Sequence, residues 1–155
     1  AERLLEKGWA RKGSSGYAMA PSSVPRLGDV LRMLHVPQLE AQTRPEIVPC
    51  QRVLASETRE PYHDSPDSDI LVMGDSFLRI YETDEPGSAG FIAHLARELH
   101  HPVTSLVNDG GASTLVRQEL SRRHGLLANK KVVLWEFVER DIRLGEEGWS
   151  LVSIH

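Results

Sequence analysis

Cysteine is almost missing: Cys50 is the only one in 155 residues. One thiol closes no internal disulfide, so the chain argues neither for an oxidising compartment nor against one. No sequence neighbour is placed to lower its pKa, and Cys50 reads as an inert core or strand residue. An excess of positive charge is missing too. Eighteen Lys+Arg stand against 22 Asp+Glu, a formal −4 spread without a basic block, which leaves no electrostatic footprint for DNA or RNA. The longest apolar run is a few residues, far short of the ~20 that cross a bilayer, so no transmembrane segment is expected. Neither G-x-x-x-x-G-K-[ST] nor G-x-G-x-x-G occurs, which counts against a phosphate- or nucleotide-binding flavodoxin-like domain. The opening Ala1-Glu2-Arg3-Leu4 has no initiator Met and no basic-then-apolar signal pattern, and is expected to be a trimmed or processed product.

What is present suffices for one globular domain over residues 1–155. With 40% hydrophobic residues, a core at this length buries roughly 70% of the unfolded surface without disulfide or metal. Residues 1–12 place Leu4, Leu5 and Trp9 among charges and predict an amphipathic helix ending near Gly13. Residues 13–25 are rich in Gly, Ser and Pro and read as loop. Val30, Leu31 and Leu34 recur at helical spacing up to Pro37, which forbids continuation. Residues 36–69 read as mostly irregular, with short strands at 47–50 and 52–55.

From residue 70 the texture changes. Ile70-Leu71-Val72-Met73 is a continuous apolar run stopping at Gly74, the pattern of a strand buried on both faces of a parallel sheet. Residues 89–101 follow as a helix with Phe91, Ile92, Leu95 and Leu99 on one face. A strand over 103–108, a helix over 112–124 and a strand over 131–138 complete βαβαβ within residues 70–145. Residues 1–69 are then helical and irregular additions, and the tail 148–154 is a candidate edge strand.

In an open parallel sheet the ligand crevice lies beyond the carboxyl ends of the strands. Those ends carry Gly74-Asp75-Ser76-Phe77, Asn108-Asp109-Gly110-Gly111 and Glu136-Phe137-Val138-Glu139-Arg140. A sharp turn at Gly74 would hold the Ser76 hydroxyl over the sheet edge, with Asn108 and backbone N–H groups near Gly110 donating to an anionic oxygen. Taken singly, Gly-Asp-Ser is also a good helix cap, Asn-Asp-Gly-Gly a turn, and Glu136, Glu139 and Arg140 an ion-paired strand end. Their joint placement at one edge points to acyl transfer.

GDSF at 74–77, NDGG at 108–111 and Trp135-Glu136-Phe137-Val138-Glu139-Arg140 together resemble the SGNH/GDSL superfamily. Within it they are similar to the SGNH hydrolase-like acetyltransferases that O-acetylate exopolysaccharides such as alginate. The segment 28–37 also resembles the stretch preceding the serine strand there. The resemblance implies an α/β fold, a three-layer sandwich with a parallel, flavodoxin-like sheet, here as a partial domain. It implies Ser76 as nucleophile, with Asp75, Asn108 and Gly110 around the oxyanion or substrate. Trp135, Glu136, Glu139 and Arg140 form a family element without an assigned role. It further implies polysaccharide and an acetyl donor as partners, with other envelope biosynthesis proteins possible, no cofactor, and a periplasmic or envelope location.

One departure stands out. A serine hydroxyl needs an adjacent base, usually His oriented by a carboxylate. No Asp-x-x-His or Asp-x-His occurs here. In the acetyltransferase branch the pair is Asp-x-His, leading into a helix resembling residues 1–12, which by analogy puts the base upstream of Ala1. His35, His94, His100, His101 and His124 read as helix or helix-end residues. His63, in the acidic stretch 63–69, enters at the amino end of the serine strand, roughly 20 Å from Ser76 at the usual strand rise. That stretch lacks calcium-loop spacing and reads as a solvated loop, so no metal is expected. The alternative reading is an inactive SGNH-like module binding polysaccharide or a secretion partner, with Trp9, Trp135 and Trp149 as candidate sugar-stacking rings, Trp135 more readily as core.

Overall fold

The structure, a computed structural model, describes residues 1–111, 113–143 and 149–154. Its centre is the strand β3 (Ile70–Gly74), buried at all five positions. β4 (Thr104–Val107) and β5 (Val132–Trp135) flank it, both parallel, in the order β4-β3-β5. Side chains alternate along β3 as strand geometry requires. Ile70 and Val72 enter a core with Ile92, Ala96 and Leu99 of α5 (Phe91–Leu99), whereas Leu71 and Met73 enter a second core with Val116 and Leu120 of α6 (Leu115–Arg122). Helices therefore cover both faces, and the architecture is the expected three-layer α/β sandwich. The register pairs Gly74 with Val107 and Met73 with Trp135, so the residues just beyond these strand ends converge.

Several elements differ from the sequence reading. The first helix, α1 (Glu2–Glu6), is half the predicted length, and Trp9 beyond it is 60% exposed while Leu4 is buried. Gly8 at φ +66° ends it, a conformation that suits glycine. Residues 17–26, expected as loop, form the strand β1 (Tyr17–Arg26), antiparallel to β2 (Glu46–Ala55). The short strands expected at 47–50 and 52–55 are parts of that one β2. Pro21, Pro25 and, opposite Ser23, Pro49 all fall on cross-strand pairs of one parity. Antiparallel pairs alternate between exchanging N–H···O bonds and not, so prolines confined to the second kind remove no ladder bond.

Between these strands, α2 (Asp29–Met33) is shorter than predicted, and Pro37 opens a new helix, α3 (Pro37–Gln42), at the position where its fixed φ is tolerated. In α5 the buried residues are Ile92, Ala93, Leu95, Ala96 and Leu99, while Phe91, at the first helical position, is 52% exposed. The tail is no strand over 149–154. Its carbonyls are taken by side chains of α6, Arg117 to Ser150 and Ser121 to Ser153, and Gly148 lies outside the described residues.

The ribbon of β1 and β2 is attached to the sheet through α5. Val53 is fully buried in the first core beside Leu4 and Tyr62, and its N–H donates to the Ser88 carbonyl at 2.7 Å. Cys50 is a half-buried β2 residue. No described helix is long and apolar enough to cross a membrane.

Candidate functional site

Gly74 ends β3, and Asp75 turns the chain into the one-turn helix α4 (Ser76–Arg79). Asp75 is the N-cap and is only 3% exposed. Its Oδ1 accepts the Phe77 N–H at 2.9 Å and its carbonyl accepts the Leu78 N–H at 3.1 Å. Two of the orphan donors at the helix start are thereby satisfied. Ser76 is half-buried, and among the described residues nothing accepts from its N–H and nothing bonds its hydroxyl. The turn thus presents one hydroxyl and one unengaged backbone donor from the same residue.

Asn108, just after β4, donates its N–H to the Gly74 carbonyl at 3.0 Å. Its side-chain Oδ1 accepts the Gly110 N–H at 2.9 Å. That bond engages the Gly110 N–H within the turn, where it orients the Asn108 side chain. With Oδ1 so engaged, the donor that Asn108 can offer is its Nδ2 amide. A Cβ on Gly110 would meet Leu115 Cδ1, the movable end of an exposed side chain.

Glu136, just after β5, reaches the same turn. Its backbone N–H donates to the Met73 carbonyl at 2.8 Å, and its Oε2 accepts the Asp75 N–H at 3.0 Å. Burial, and then the neighbouring Asp75 carboxyl, push its pKa above the usual carboxylate range, opposed by the bond from the Asp75 N–H. The rest of the Trp135–Arg140 element stands elsewhere. Trp135 is half-buried against the second core, with its ring edge-on to Phe137 at 5.4 Å and to Trp149 at 5.2 Å, and the Arg117 guanidinium over it at 6.0 Å. Glu139 and Arg140 are exposed in α7 (Glu139–Arg143) and make no polar contact with Ser76, Asp75, Asn108 or Glu136 among the described residues. Trp9 is exposed just past α1, its backbone N–H bonded to the Leu4 carbonyl at 2.9 Å.

Sequence reading missed two charged groups, Arg79 and Glu82. Arg79, on α4 three residues after Ser76, bonds Asp109 at 3.0 Å and also pairs with Asp84. The two carboxylates, Asp109 foremost, hold its guanidinium above its ordinary pKa. Its signal was a cation one turn past the serine. Arg79 lines two cavities. One, of about 510 Å³, opens beside the end of the ribbon and includes Arg26, Arg32, Asp84 and Glu85. The other, of about 250 Å³, includes Leu78, Glu82, Val107 and Asp109. Glu82 had no sequence signal; it accepts the Ala93 N–H at 3.0 Å, and burial pushes its pKa up to about 7.

The described histidines do not reach Ser76. His94 meets the Gln51 carbonyl at 2.9 Å and His101 the Pro102 carbonyl at 2.6 Å, while His63 lines a separate cavity with Tyr62, Asp64 and Glu82. Among the described residues no group of three or more His, Cys, Asp or Glu is gathered to hold a metal ion.

No family model matches the chain, and no curated protein matches it in sequence. Solved structures do match in fold. The O-acetyltransferase domain of Pseudomonas putida AlgJ superposes with a TM-score of 0.65 at 16% identity, covering 90% of this chain and 46% of that one. Pseudomonas aeruginosa AlgX does so with a TM-score of 0.56 at 13% identity, covering 87% of this chain and 30% of that one. The chain spans less than half the length of either. The SGNH-like α/β fold implied by the three motifs is the fold found.

Proposed function

We propose that this chain carries the acyl-accepting serine of an O-acetyltransferase or acetylesterase acting on a bacterial polysaccharide, in the SGNH/GDSL superfamily. The observation that carries the reading is the turn at 74–76, which leaves the Ser76 hydroxyl and the Ser76 N–H both without a partner among the described residues, at the sheet edge where Asn108 also lies. In this chemistry Ser76 Oγ attacks the acetyl carbonyl and gives up its proton to a base. The oxyanion of the tetrahedral intermediate lies against the Ser76 N–H and the Asn108 Nδ2. Collapse expels the donor's leaving group, which takes the proton, and a sugar hydroxyl or water then releases acetyl from the serine by the same steps in reverse. The sugar belongs in the arginine-lined cleft of about 510 Å³ that shares Arg79 with the serine helix. No cofactor enters these steps. The resemblance assigns the base to a His paired with Asp in an Asp-x-His segment, which residues 1–155 do not contain, and the place of work to the periplasm or cell envelope. The names of AlgJ and AlgX, and the sharing of their fold, support this reading.

The absence of Asp-x-His from this sequence favours one other reading, a non-catalytic module that keeps the scaffold to bind polysaccharide or an envelope partner. Fluorophosphonate labelling separates the two. The chain extended upstream through an Asp-x-His segment should label stoichiometrically at Ser76, Ser76→Ala should abolish labelling, and residues 1–155 alone should label at least about a hundredfold more slowly, since losing a triad's base removes most of its rate. A folded extended chain that does not label would establish the binding module instead.

A further inference from the structure

Asp75 contributes a nearly buried N–H at the point where β3 leaves the sheet, and a buried backbone donor must find an acceptor. In the parallel register of Met73 with Trp135, the Glu136 N–H bonds the Met73 carbonyl, and the next ladder bond would run from the Asp75 N–H to the Glu136 backbone carbonyl. That bond is replaced. The Glu136 side-chain Oε2 accepts the Asp75 N–H at 3.0 Å, so the side chain stands in for a strand carbonyl while both backbones diverge.

We infer that Glu136 is the positioning residue of the serine turn, its carboxyl fixing the Asp75 peptide so that the Ser76 N–H is the first donor left free. Three consecutive residues are tied from two sides: the Met73 carbonyl and the Asp75 N–H by Glu136, and the Gly74 carbonyl by Asn108. Asp75, held there, spends its own carboxylate on Phe77 and its carbonyl on Leu78. Ser76 is what remains. Gly74 completes the fit, because any Cβ on it would overlap Glu136 Oε2. Glu136 touches no reacting atom in this arrangement and acts through Asp75. The role assigned to the acceptor oxygen predicts that an amide serves as well as a carboxylate.

The inference rests on Ser76 being the nucleophile only for its consequence in rate, so its test has two readouts. In the upstream-extended chain, Glu136→Ala should slow fluorophosphonate labelling of Ser76 by at least about tenfold, the scale of a sub-ångström misplacement, whereas Glu136→Gln should stay within about threefold of the parent. In amide-resolved NMR the Asp75 N–H should be downfield and slow to exchange in the parent and in Glu136→Gln, and should move upfield and exchange faster in Glu136→Ala. Should Glu136→Ala not fold, Glu136→Asp, one methylene short of the Asp75 N–H, takes its place with the same expectations. Unchanged labelling in the folded Ala or Asp variant overturns the inference, as does a Gln variant that keeps the Asp75 resonance yet loses labelling. If the parent itself never labels, the acyl-transfer reading falls, and the Asp75 resonance alone decides whether Glu136 positions the turn.

Discussion

Gly74 and Glu136 compete for one volume. A Cβ built on Gly74 would overlap Glu136 Oε2 and stand 2.8 Å from Leu78 Cδ1, the latter the movable end of a side chain. Gly74→Ala should therefore destabilise the protein by about 1–3 kcal/mol through overpacking. The cost should shrink by about half or more in a Glu136→Ala background, because the two changes share the crowded space. Chemical denaturation of the four proteins in that cycle checks the coupling; strictly additive effects would mean that Glu136 is elsewhere in solution. Neither half of this pair was legible as such in the sequence. Gly74 was readable as the residue where an apolar strand must turn, and Ser76 followed from it. Glu136 was readable only as part of a motif, because its partner lies 61 residues away and the contact depends on strand register.

Among the elements, α5 begins at Gly90 with no side-chain cap of its own. Glu82 supplies one from the loop after α4, accepting the Ala93 N–H. Burial raises its pKa to about 7 against an ordinary 4.5, the N–H bonds opposing but not overcoming it. The folded protein thus keeps a proton that the unfolded chain loses near pH 4.5, so stability falls as pH rises from there to about 7 and is level beyond. The total is at most about 3 kcal/mol. Glu82→Gln keeps an oxygen for Ala93 and has no proton to lose. Its melting temperature should match the parent's near pH 4.5, exceed it at pH 8, and change less between the two. An unchanged pH slope would show that Glu82 ionises freely in the folded state. Elements differed in how openly they were written. β3 was legible because a strand buried on both faces is apolar throughout, and α5 and α6 because core burial imposes a period of 3.6 on apolar residues. β1 was not, since a ribbon half open to solvent tolerates Ser and correctly spaced Pro, which read as loop.

At the scale of the molecule, residues 1–69, expected as helical and irregular additions, include a ribbon that together with α1 shares the first core with the sheet. The sandwich itself followed from alternating strands and helices, whereas the ribbon's docking depends on Val53, a residue no local pattern marks. Val53→Ala should cost about 2 kcal/mol as a buried large-to-small change. It should also lower the single melting transition of the whole chain and not produce a separate early one. Two transitions, only the first shifted, would make the ribbon an independent unit. The strand order β4-β3-β5 has one more result. Among the described residues β3 is the only strand of its sheet hydrogen-bonded along both edges and covered on both faces, so its amides are expected to exchange with solvent deuterium at the rate set by global unfolding, while those on the outer edges of β4 and β5 exchange by local opening. The serine turn is therefore mounted on the last part of the sheet to open, and its geometry persists for as long as the protein is folded at all.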